Sequence, residues 1–225
     1  MPDWRTALAA VEPTAVPVSM PPAFYRAEDV LDAETEQVFL PGWICVGRGD
    51  EIPETGDFYT LDVIGEPLIV TRAKDGIRVL SNVCRHRGSR LAEGHGRTKR
   101  FSCPYHAWTY ALDGGLIRAP LVENQPGFDR DACALPGFPV AHWMGWIFVN
   151  LDRAAAPLLP QLTDLDPLVR NYHAEEMRVI DVAVEEWAVN WKGLAENFME
   201  GYHLTPVHLR TLHPMTPTRL CEKSV

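Results

Sequence analysis

Two short segments that each hold one cysteine and one histidine constrain this chain more than any other feature. The first is Cys84-x-His86, and the second, sixteen residues further on, is Cys103-x-x-His106. Each spacing allows one tight loop to direct both of its side chains at a single metal. The two loops together therefore predict a centre that is held by two thiolates and two imidazoles.

Two kinds of centre use this set of ligands. Two cysteines and two histidines are a frequent zinc set. They also hold a Rieske [2Fe–2S] cluster, with the cysteines on one iron and the histidines on the other. In zinc fingers the pairs are usually Cys–Cys and His–His and are joined by a helix. Here each pair is mixed and each follows a predicted strand, which favours the iron–sulfur cluster.

The composition excludes several classes of protein. The chain has 225 residues, of which 46% are hydrophobic and 23% charged, as is typical of a globular protein with one large or two modest domains. Its net charge of −9 argues against a nucleic-acid-binding protein, and no apolar run approaches the roughly 20 residues of a membrane span. The N-terminal segment lacks the basic and apolar regions of a signal peptide, so we expect a cytoplasmic protein. In that compartment we expect buried free thiols at Cys45, Cys133 and Cys221.

Short β-branched and aromatic runs between glycine, Asp-Gly and proline turns extend from residue 43 to about Asn150. Runs of this kind predict an all-β sandwich or a small barrel. Before them, residues 26–40 carry apolar positions at helical spacing and are followed by Pro41-Gly42, which predicts a helix. The predicted strands are WICVG, DFYTLDVI, PLIVTRA, IRVLSNV, FSCPY, WTYAL and WMGWIFVN.

A strand and a helix are predicted between residues 178 and 206. The segment RVIDVAVEEWAVN predicts the strand, and Pro206 marks the end of the helix. The helix is indicated by apolar residues at steps of three and four, namely Trp187, Trp191, Leu194, Phe198 and Tyr202.

This predicted helix carries a second group of metal ligands. Glu196, Glu200 and His203 lie at i, i+4 and i+7 and would share one face, and His208 follows just after Pro206. Two histidines and a carboxylate with open positions form the facial triad of non-haem Fe(II) enzymes. The alternative is an amphipathic helix whose polar residues face solvent.

Both regions resemble one family. The segments SNVCRHRGSRL and FSCPYHAWTYALDGGL resemble the Rieske domain of the Rieske non-haem iron oxygenases of the aromatic-ring-hydroxylating dioxygenase type. The pattern E-N-F-x-E-x-Y-H-x-x-x-x-H resembles the start of the catalytic domain in their α subunits. The resemblance implies an α+β protein. Its parts would be an N-terminal extension and helix at 1–42, an antiparallel all-β Rieske [2Fe–2S] sandwich at 43–150 and the incomplete start of an α+β helix-grip catalytic domain at 151–225.

The resemblance also implies roles for individual residues. The cluster ligands would be Cys84, His86, Cys103 and His106. The ligands of the mononuclear iron would be His203 and His208. Glu200 matches the acidic residue that links this iron to the Rieske histidine of a neighbouring subunit. Most ring-hydroxylating members have aspartate there, and a glutamate resembles the branch that acts on quaternary ammonium compounds.

The third iron ligand of this family is an aspartate far downstream, whereas this chain ends seventeen residues after His208. We therefore expect the chain to be the N-terminal portion of an α subunit. Glu222 is the acidic residue that follows His208 in the sequence, and His213 is the other candidate for a substitute ligand.

The function that the resemblance implies is the O2-dependent oxidation of a small organic substrate. Hydroxylation or demethylation of an aromatic acid or a quaternary ammonium compound would fit. Electrons would come from NAD(P)H through a separate flavin/iron–sulfur reductase or a ferredoxin, and would pass from the cluster to the Fe(II) of a neighbouring subunit in a homotrimer. Two alternatives stay open: a Rieske ferredoxin-like electron carrier without oxygenase activity, and a structural zinc module.

Departures from the respiratory type of Rieske protein predict a low reduction potential. Respiratory members carry an extra cysteine in each loop, whereas Ser89 and Tyr105 stand at the corresponding positions and cannot form a disulfide. Ala107 and Trp108 replace hydroxyl donors of that type. Fewer hydrogen bonds to the cluster sulfurs leave the reduced cluster less stable, so we expect the low end of the Rieske range.

The stretch between residues 85 and 100 is locally basic in an acidic chain. It has one acid, Glu93. Two interpretations of this basic stretch stay open. Either its charges are simply those of a solvated loop, or they form a docking surface for an acidic electron donor or a neighbouring subunit. Its cations are Arg85, Arg87, Arg90, Arg97, Lys99 and Arg100.

Overall fold

The computed structural model describes residues 20–220. The predicted thiol Cys221 and the candidate ligand Glu222 lie outside the described residues. The chain divides into two units. One contains the residues up to Asp32 together with those from Ala183 onward, and the other runs from Ala33 to Val182.

The strands of the described residues all lie in the unit from Ala33 to Val182. They form three antiparallel sheets, ordered β1-β11-β10, β5-β2-β3-β4-β9 and β6-β7-β8. This confirms the predicted antiparallel β domain, to which the structure adds β5, β8, β9 and β10. The strands are β1 (Trp43–Arg48), β2 (Asp57–Val63), β3 (Glu66–Ala73), β4 (Gly76–Ser81), β5 (His95–Arg97), β6 (Phe101–Ser102), β7 (Thr109–Tyr110), β8 (Leu116–Arg118), β9 (Gly137–Phe138), β10 (Val140–Trp143) and β11 (Trp146–Asn150).

The helices are short, and none in the described part of the chain is long and apolar enough to cross a membrane. The helix predicted over 26–40 is formed from Glu28 to Phe39. It begins two residues late because Ala27, whose ψ of 128° is extended, separates it from a short helix that ends at Arg26. The helices are α1 (Ala23–Arg26), α2 (Glu28–Glu34), a π-helical turn (Thr35–Phe39), α3 (Asp166–Val169), α4 (Trp191–Phe198) and α5 (Leu204–Val207). The 3-10 turns are Gly49–Glu51, Asp131–Cys133, Leu159–Leu162, Arg170–Tyr172, Ala174–Glu176 and Thr218–Leu220.

Strand β3 separates two hydrophobic cores. Leu68, Ile69 and Val70 are all 0% exposed, so both faces of the strand are covered. Ile69 belongs to a core that includes Cys84 and Cys103, whereas Leu68 and Val70 belong to a core with residues of β1 and β11. The first of these cores therefore supports the predicted metal loops.

The segment WMGWIFVN is a hairpin rather than the predicted single strand. Trp143 pairs with Trp146, and Met144 and Gly145 between them have φ values of +49° and +84°. Positive φ at both central residues matches the hairpin turns whose twist fits antiparallel strands. A Cβ at Gly145 would lie 2.5 Å from Nη2 of Arg48. The prediction was wrong because Met144 is as apolar as the strand residues that flank it.

The strand predicted at RVIDVAVEEWAVN is not formed, since residues 178–190 contain no strand. Ile180 and Val184 are 97% and 89% exposed. Alternating β-branched residues do not form a stable strand when no neighbouring strand supplies hydrogen-bond partners.

Two of the predicted buried thiols are more accessible than expected. Cys45 is exposed and Cys133 is half-buried. On β1, Val46 is buried while Cys45 lies on the opposite face of the strand, as the alternation of side chains requires.

Asn82 fastens the first predicted metal loop just after the end of β4. Its side chain is fully buried. Its Nδ2 donates to the carbonyl of Ala92 at 2.8 Å, and its Oδ1 accepts the N–H groups of Leu91 and Ala92, both at 3.0 Å. One side chain therefore joins the two ends of the segment from 82 to 92.

Replacing Asn82 with alanine is expected to lower the free energy of unfolding by about 2–4 kcal/mol. Three buried hydrogen bonds are lost, and the N–H groups of Leu91 and Ala92 lose an acceptor. Urea denaturation followed by tryptophan fluorescence measures the change. Asn171→Ala, at an exposed asparagine, is the matched control and should change stability by less than about 0.5 kcal/mol. An Asn82→Ala protein as stable as the wild type would contradict this role.

Candidate metal centres

The first loop follows β4 and carries Cys84 and His86. The N–H of Cys84 donates to the carbonyl of Ser89 at 2.9 Å, and the N–H of Gly88 donates to the carbonyl of Cys84 at 3.0 Å. Gly88 has a φ of +75°, which glycine adopts without strain. These two hydrogen bonds fold residues 84–89 into one tight turn.

The second loop joins β6 to β7 and repeats this closure. The N–H of Cys103 donates to the carbonyl of Trp108 at 2.7 Å, and the N–H of Ala107 donates to the carbonyl of Cys103 at 3.0 Å. Ala107 has a φ of +57° where the first loop has glycine. The two backbones share one hydrogen-bond pattern, although the histidine follows the cysteine at a different spacing in each loop.

Both cysteine side chains are buried and lie beside each other. Cys84 is 2% exposed and Cys103 is 4% exposed, both belong to one hydrophobic core, and the Cys84 side chain is close enough to lower the pKa of the Cys103 thiol. The hydroxyl of Tyr110, a fully buried residue of β7, lies 3.4 Å from Sγ of Cys84 and accepts the N–H of Arg85 at 3.1 Å. Because the Tyr110 oxygen accepts the N–H of Arg85, the Tyr110 hydroxyl proton is available for a hydrogen bond to the Cys84 sulfur.

The surroundings of Cys103 favour its thiolate. Burial raises the pKa of this thiol, but the N–H groups of His106 and Tyr105 and the Cys84 side chain outweigh burial, so the pKa lies below its ordinary value. Burial and the Cys84 sulfur raise the pKa of Tyr110, which therefore keeps its proton. The thiolate is the form of cysteine that binds a metal.

The two histidine rings of the loops lie together. The ring centroids of His86 and His106 are 4.7 Å apart, and His86 stacks on Trp108 at 5.0 Å. Burial, with His106 and Arg87 nearby, lowers the pKa of His86 and favours the neutral imidazole that a metal needs. Its Nδ1 is the one buried side-chain nitrogen or oxygen in residues 20–220 without a hydrogen-bond partner. Since buried polar atoms are normally paired, this nitrogen fits a metal ligand.

The four candidate ligand atoms are spread more widely than the ligands of one zinc ion. A single zinc ion draws its ligands close together. Within the part of the chain that the structure describes, no three of Cys84, His86, Cys103 and His106 bring their ligand atoms within 4.8 Å of one another. A two-iron cluster takes the thiolates and the imidazoles on separate metal atoms, so this donor set fits [2Fe–2S].

The helix predicted to carry the second set of ligands ends early. Helix α4 begins after Asn190, whose side chain accepts the N–H of Lys192 two residues further on, and it ends at Phe198. Glu200 and His203 follow the helix instead of sharing a face with Glu196. The predicted i, i+4, i+7 arrangement was therefore wrong.

Glu200 explains why the helix stops. Its carboxylate accepts the N–H groups of Tyr202 and His203 and contacts Nδ1 of His203. A side chain that takes backbone N–H groups in this way competes with helical hydrogen bonds. The hydrogen bond with His203 lowers the pKa of Glu200, which favours the carboxylate.

His203 and His208 come together around the short helix α5. Their ring centroids are 5.4 Å apart. Nδ1 of His203 is bonded to Glu200, and Nδ1 of His208 lies 3.4 Å from Oγ1 of Thr211. These contacts leave Nε2 of each ring as the nitrogen for a metal, so the two histidines lie together as predicted and their donor atoms fit a metal.

A third ligand is not seen beside these histidines in residues 20–220. His213 has its Nδ1 3.1 Å from Oγ1 of Thr205. A set of three ligand atoms within 4.8 Å of one another does occur elsewhere, on the exposed residues His173, Glu175 and Glu176.

Sequence reasoning missed Tyr110 as a residue of the first centre. It took Ala107 and Trp108 as the loss of hydroxyl donors, yet Tyr110 supplies a hydroxyl to Cys84 from the next strand. The sequence did offer a signal for Tyr110, because it lies two residues after Trp108. Side chains two residues apart in an extended segment point to the same face.

Two protein-family models match the chain. The model of the Rieske [2Fe-2S] domain matches residues 42–139. The model of the ring hydroxylating alpha subunit (catalytic domain) matches residues 169–224.

Similar proteins of known function match across both of these regions. The carnitine monooxygenase oxygenase subunit of Acinetobacter pittii is 34% identical over 194 residues, which cover 84% of this chain and 52% of that protein. The glycine betaine monooxygenase oxygenase subunit of Chromohalobacter salexigens is 35% identical over 199 residues, which cover 88% and 44%. The chain thus spans about half the length of the curated relatives that it matches.

The fold agrees with a solved structure of the same kind. The crystal structure of the apo form of a quaternary ammonium Rieske monooxygenase superposes with a TM-score of 0.80 at 34% identity, over 84% of this chain and 57% of that one. Similarity in sequence and fold that continues from the β domain into the histidine-bearing region shows that this chain belongs to the α subunits of the Rieske non-haem iron oxygenases, matching their N-terminal portion.

Proposed function

We propose that the chain is a Rieske oxygenase component, which accepts electrons at a [2Fe–2S] cluster and uses them at a mononuclear iron to oxidise a small organic substrate with O2. The observation that carries this proposal is the pair of buried thiols next to two histidines, one with an unpaired buried Nδ1. A buried nitrogen without a hydrogen-bond partner is costly, and a metal bound at Nδ1 of His86 would satisfy it.

Each residue of the first centre has a role in this proposal. Tyr110 holds the Cys84 sulfur and the Arg85 backbone in place, and Trp108 supports the ring of His86. When bound, the cluster stores and passes on one electron. Its ligands would be the thiolates of Cys84 and Cys103 and the neutral imidazoles of His86 and His106.

At the second centre, His203 and His208 would hold Fe(II) through Nε2. Glu200 orients His203 by accepting its Nδ1–H, as carboxylates do for metal-binding histidines. When bound, this iron supplies the O2 chemistry. The facial triad requires a further carboxylate, for which Glu222 stays a candidate.

The electron donor is proposed to be an NAD(P)H-dependent flavin/iron–sulfur reductase or a ferredoxin. Two cations near the cluster are paired, Arg90 with Asp62 and Arg97 with Asp57. An exposed positive surface favours association with an acidic protein. The other exposed cations of this stretch are Arg85, Arg87, Lys99 and Arg100.

The proposed organisation follows the family. The domains would be 1–42, 43–150 and 151–225, in a cytoplasmic homotrimer in which the cluster of one subunit serves the iron of the next. The antiparallel sheets and one family model support the middle segment, and a second model over 169–224 supports a separate last segment. The compact unit around the sheets is longer, from Ala33 to Val182.

The proposed substrate class is quaternary ammonium or N-methylated compounds. Two similar proteins are named for the oxidation of carnitine and of glycine betaine. Glu200, in place of the aspartate of most ring-hydroxylating members, supports the same class.

Replacing Tyr110 with phenylalanine is expected to lower the reduction potential of the cluster by on the order of 50 mV. The lost O–H no longer stabilises the more negative reduced state, and a typical hydrogen bond of about 1 kcal/mol corresponds to about 50 mV in a one-electron couple. A spectroelectrochemical titration measures the change. Tyr172→Phe, at a residue that is 64% exposed, is the control. An unchanged or higher potential in Tyr110→Phe, with the cluster intact, would show that this hydroxyl does not act on the cluster.

The function is tested by NADH-driven turnover of the chain with a flavin/iron–sulfur reductase. Carnitine or glycine betaine should accelerate O2 consumption, and His203→Ala should reduce it by more than about 100-fold while the cluster is still reduced. His173→Ala, at an exposed histidine, should retain turnover. Reduction of the cluster with no substrate-dependent O2 consumption would instead support the electron-carrier alternative.

A further inference from the structure

Helix α4, which leads to Glu200 and His203, has little support of its own. It has eight residues, and helices this short are marginal in water without tertiary contacts. Lys192 is its one buried residue, and Phe198 at its end is 79% exposed. Contacts from other segments must therefore keep its last turn formed.

Tyr25 of helix α1 supplies such a contact within the same unit of the chain. Its hydroxyl donates to both carboxylate oxygens of Glu196, at 2.8 and 3.1 Å. One turn earlier on α4, Nζ of Lys192 lies 5.7 Å from the centroid of the Tyr25 ring, within the range of a cation–π contact. Tyr25 thus contacts two residues at i and i+4 on one face of α4, while Phe24 beside it is buried.

The contact with Glu196 is close to the candidate iron ligands along the backbone. The carbonyl of Glu196 accepts the N–H of Met199 at 3.2 Å, and Glu200 follows directly with its hydrogen bonds to His203. Glu196 therefore has a structural partner instead of the place on a ligand face that its spacing suggested.

We propose that Tyr25 is a positioning residue for the mononuclear iron site, which acts through Glu196 to hold the last turn of α4 and thereby Glu200 and His203. This inference rests on the proposed iron site at His203 and His208. The hydrogen bond to Glu196 also raises the pKa of Tyr25, so the tyrosine stays protonated as a donor.

The test measures the affinity of the anaerobic chain for Co²⁺, used as a redox-stable probe of the iron site, by equilibrium dialysis. Tyr25→Phe and Glu196→Ala should each weaken binding by about threefold to tenfold, the effect of one lost hydrogen bond. The double variant should bind no more weakly than either single variant, because both remove the same interaction. Glu196→Gln keeps an acceptor for the tyrosine and should retain most of the affinity.

The controls distinguish an effect on the position of the iron ligands from a loss of folding and from the absence of a metal site. Tyr172→Phe should bind like the wild type, and the visible spectrum of the cluster and the thermal unfolding should be unchanged in Tyr25→Phe. The inference would be overturned if Tyr25→Phe bound Co²⁺ as tightly as the wild type, or if the two losses of affinity added in the double variant. Either result would leave the proposed iron site unaffected.

All variants carry His173→Ala, which removes the exposed ligand set at His173, Glu175 and Glu176. In that background, Co²⁺ binding that His203→Ala/His208→Ala does not abolish, or a parent chain that binds no Co²⁺, would overturn the iron site and this inference with it.

Discussion

The candidate cluster region depends on a pair of backbone hydrogen bonds that occurs in each of its two loops. In each loop the cysteine N–H bonds five residues ahead and the cysteine carbonyl accepts from four residues ahead. Main-chain atoms therefore close both loops, and the cysteine and histidine side chains are left for a metal. The positive φ values of Gly88 and Ala107 make this closure possible. The core behind β3 and the buried side chain of Asn82 then fix the loops in the domain.

The two candidate centres are supported in different ways. The cluster residues are held by buried groups, above all Tyr110 and Trp108. His203 and His208 flank the short helix α5, and Phe198 and Met199, which precede Glu200, are 79% and 81% exposed. The second centre therefore depends on individual hydrogen bonds, such as the one between Glu200 and His203, whereas the first depends on a packed core.

The sequence was sufficient to predict those features that depend on residues close together in the chain. The C-x-H and C-x-x-H spacings predicted that the side chains of the two loops lie together, and the β-branched runs of β2, β3 and β4 predicted the antiparallel sheets. Both patterns act within a few residues. Prediction failed where a tertiary partner decides the outcome. The pattern around Ile180 lacked a strand to pair with, Glu200 withdrew N–H groups from the end of α4, and Met144 adopted a turn conformation that its apolar character hides. The reach of Tyr110 to Cys84 depends on how β7 packs, which composition does not reveal.

The most direct test of this account is the amount of iron and acid-labile sulfide per chain in protein purified without air, compared with Cys84→Ser and Cys45→Ser. The account predicts two sulfides with at least two irons in the wild type, the loss of both in Cys84→Ser, and their retention in Cys45→Ser, which changes an exposed thiol. Zinc without sulfide in the wild type, or a Cys84→Ser protein that keeps its sulfide, would contradict the assignment of the loops to a Rieske cluster.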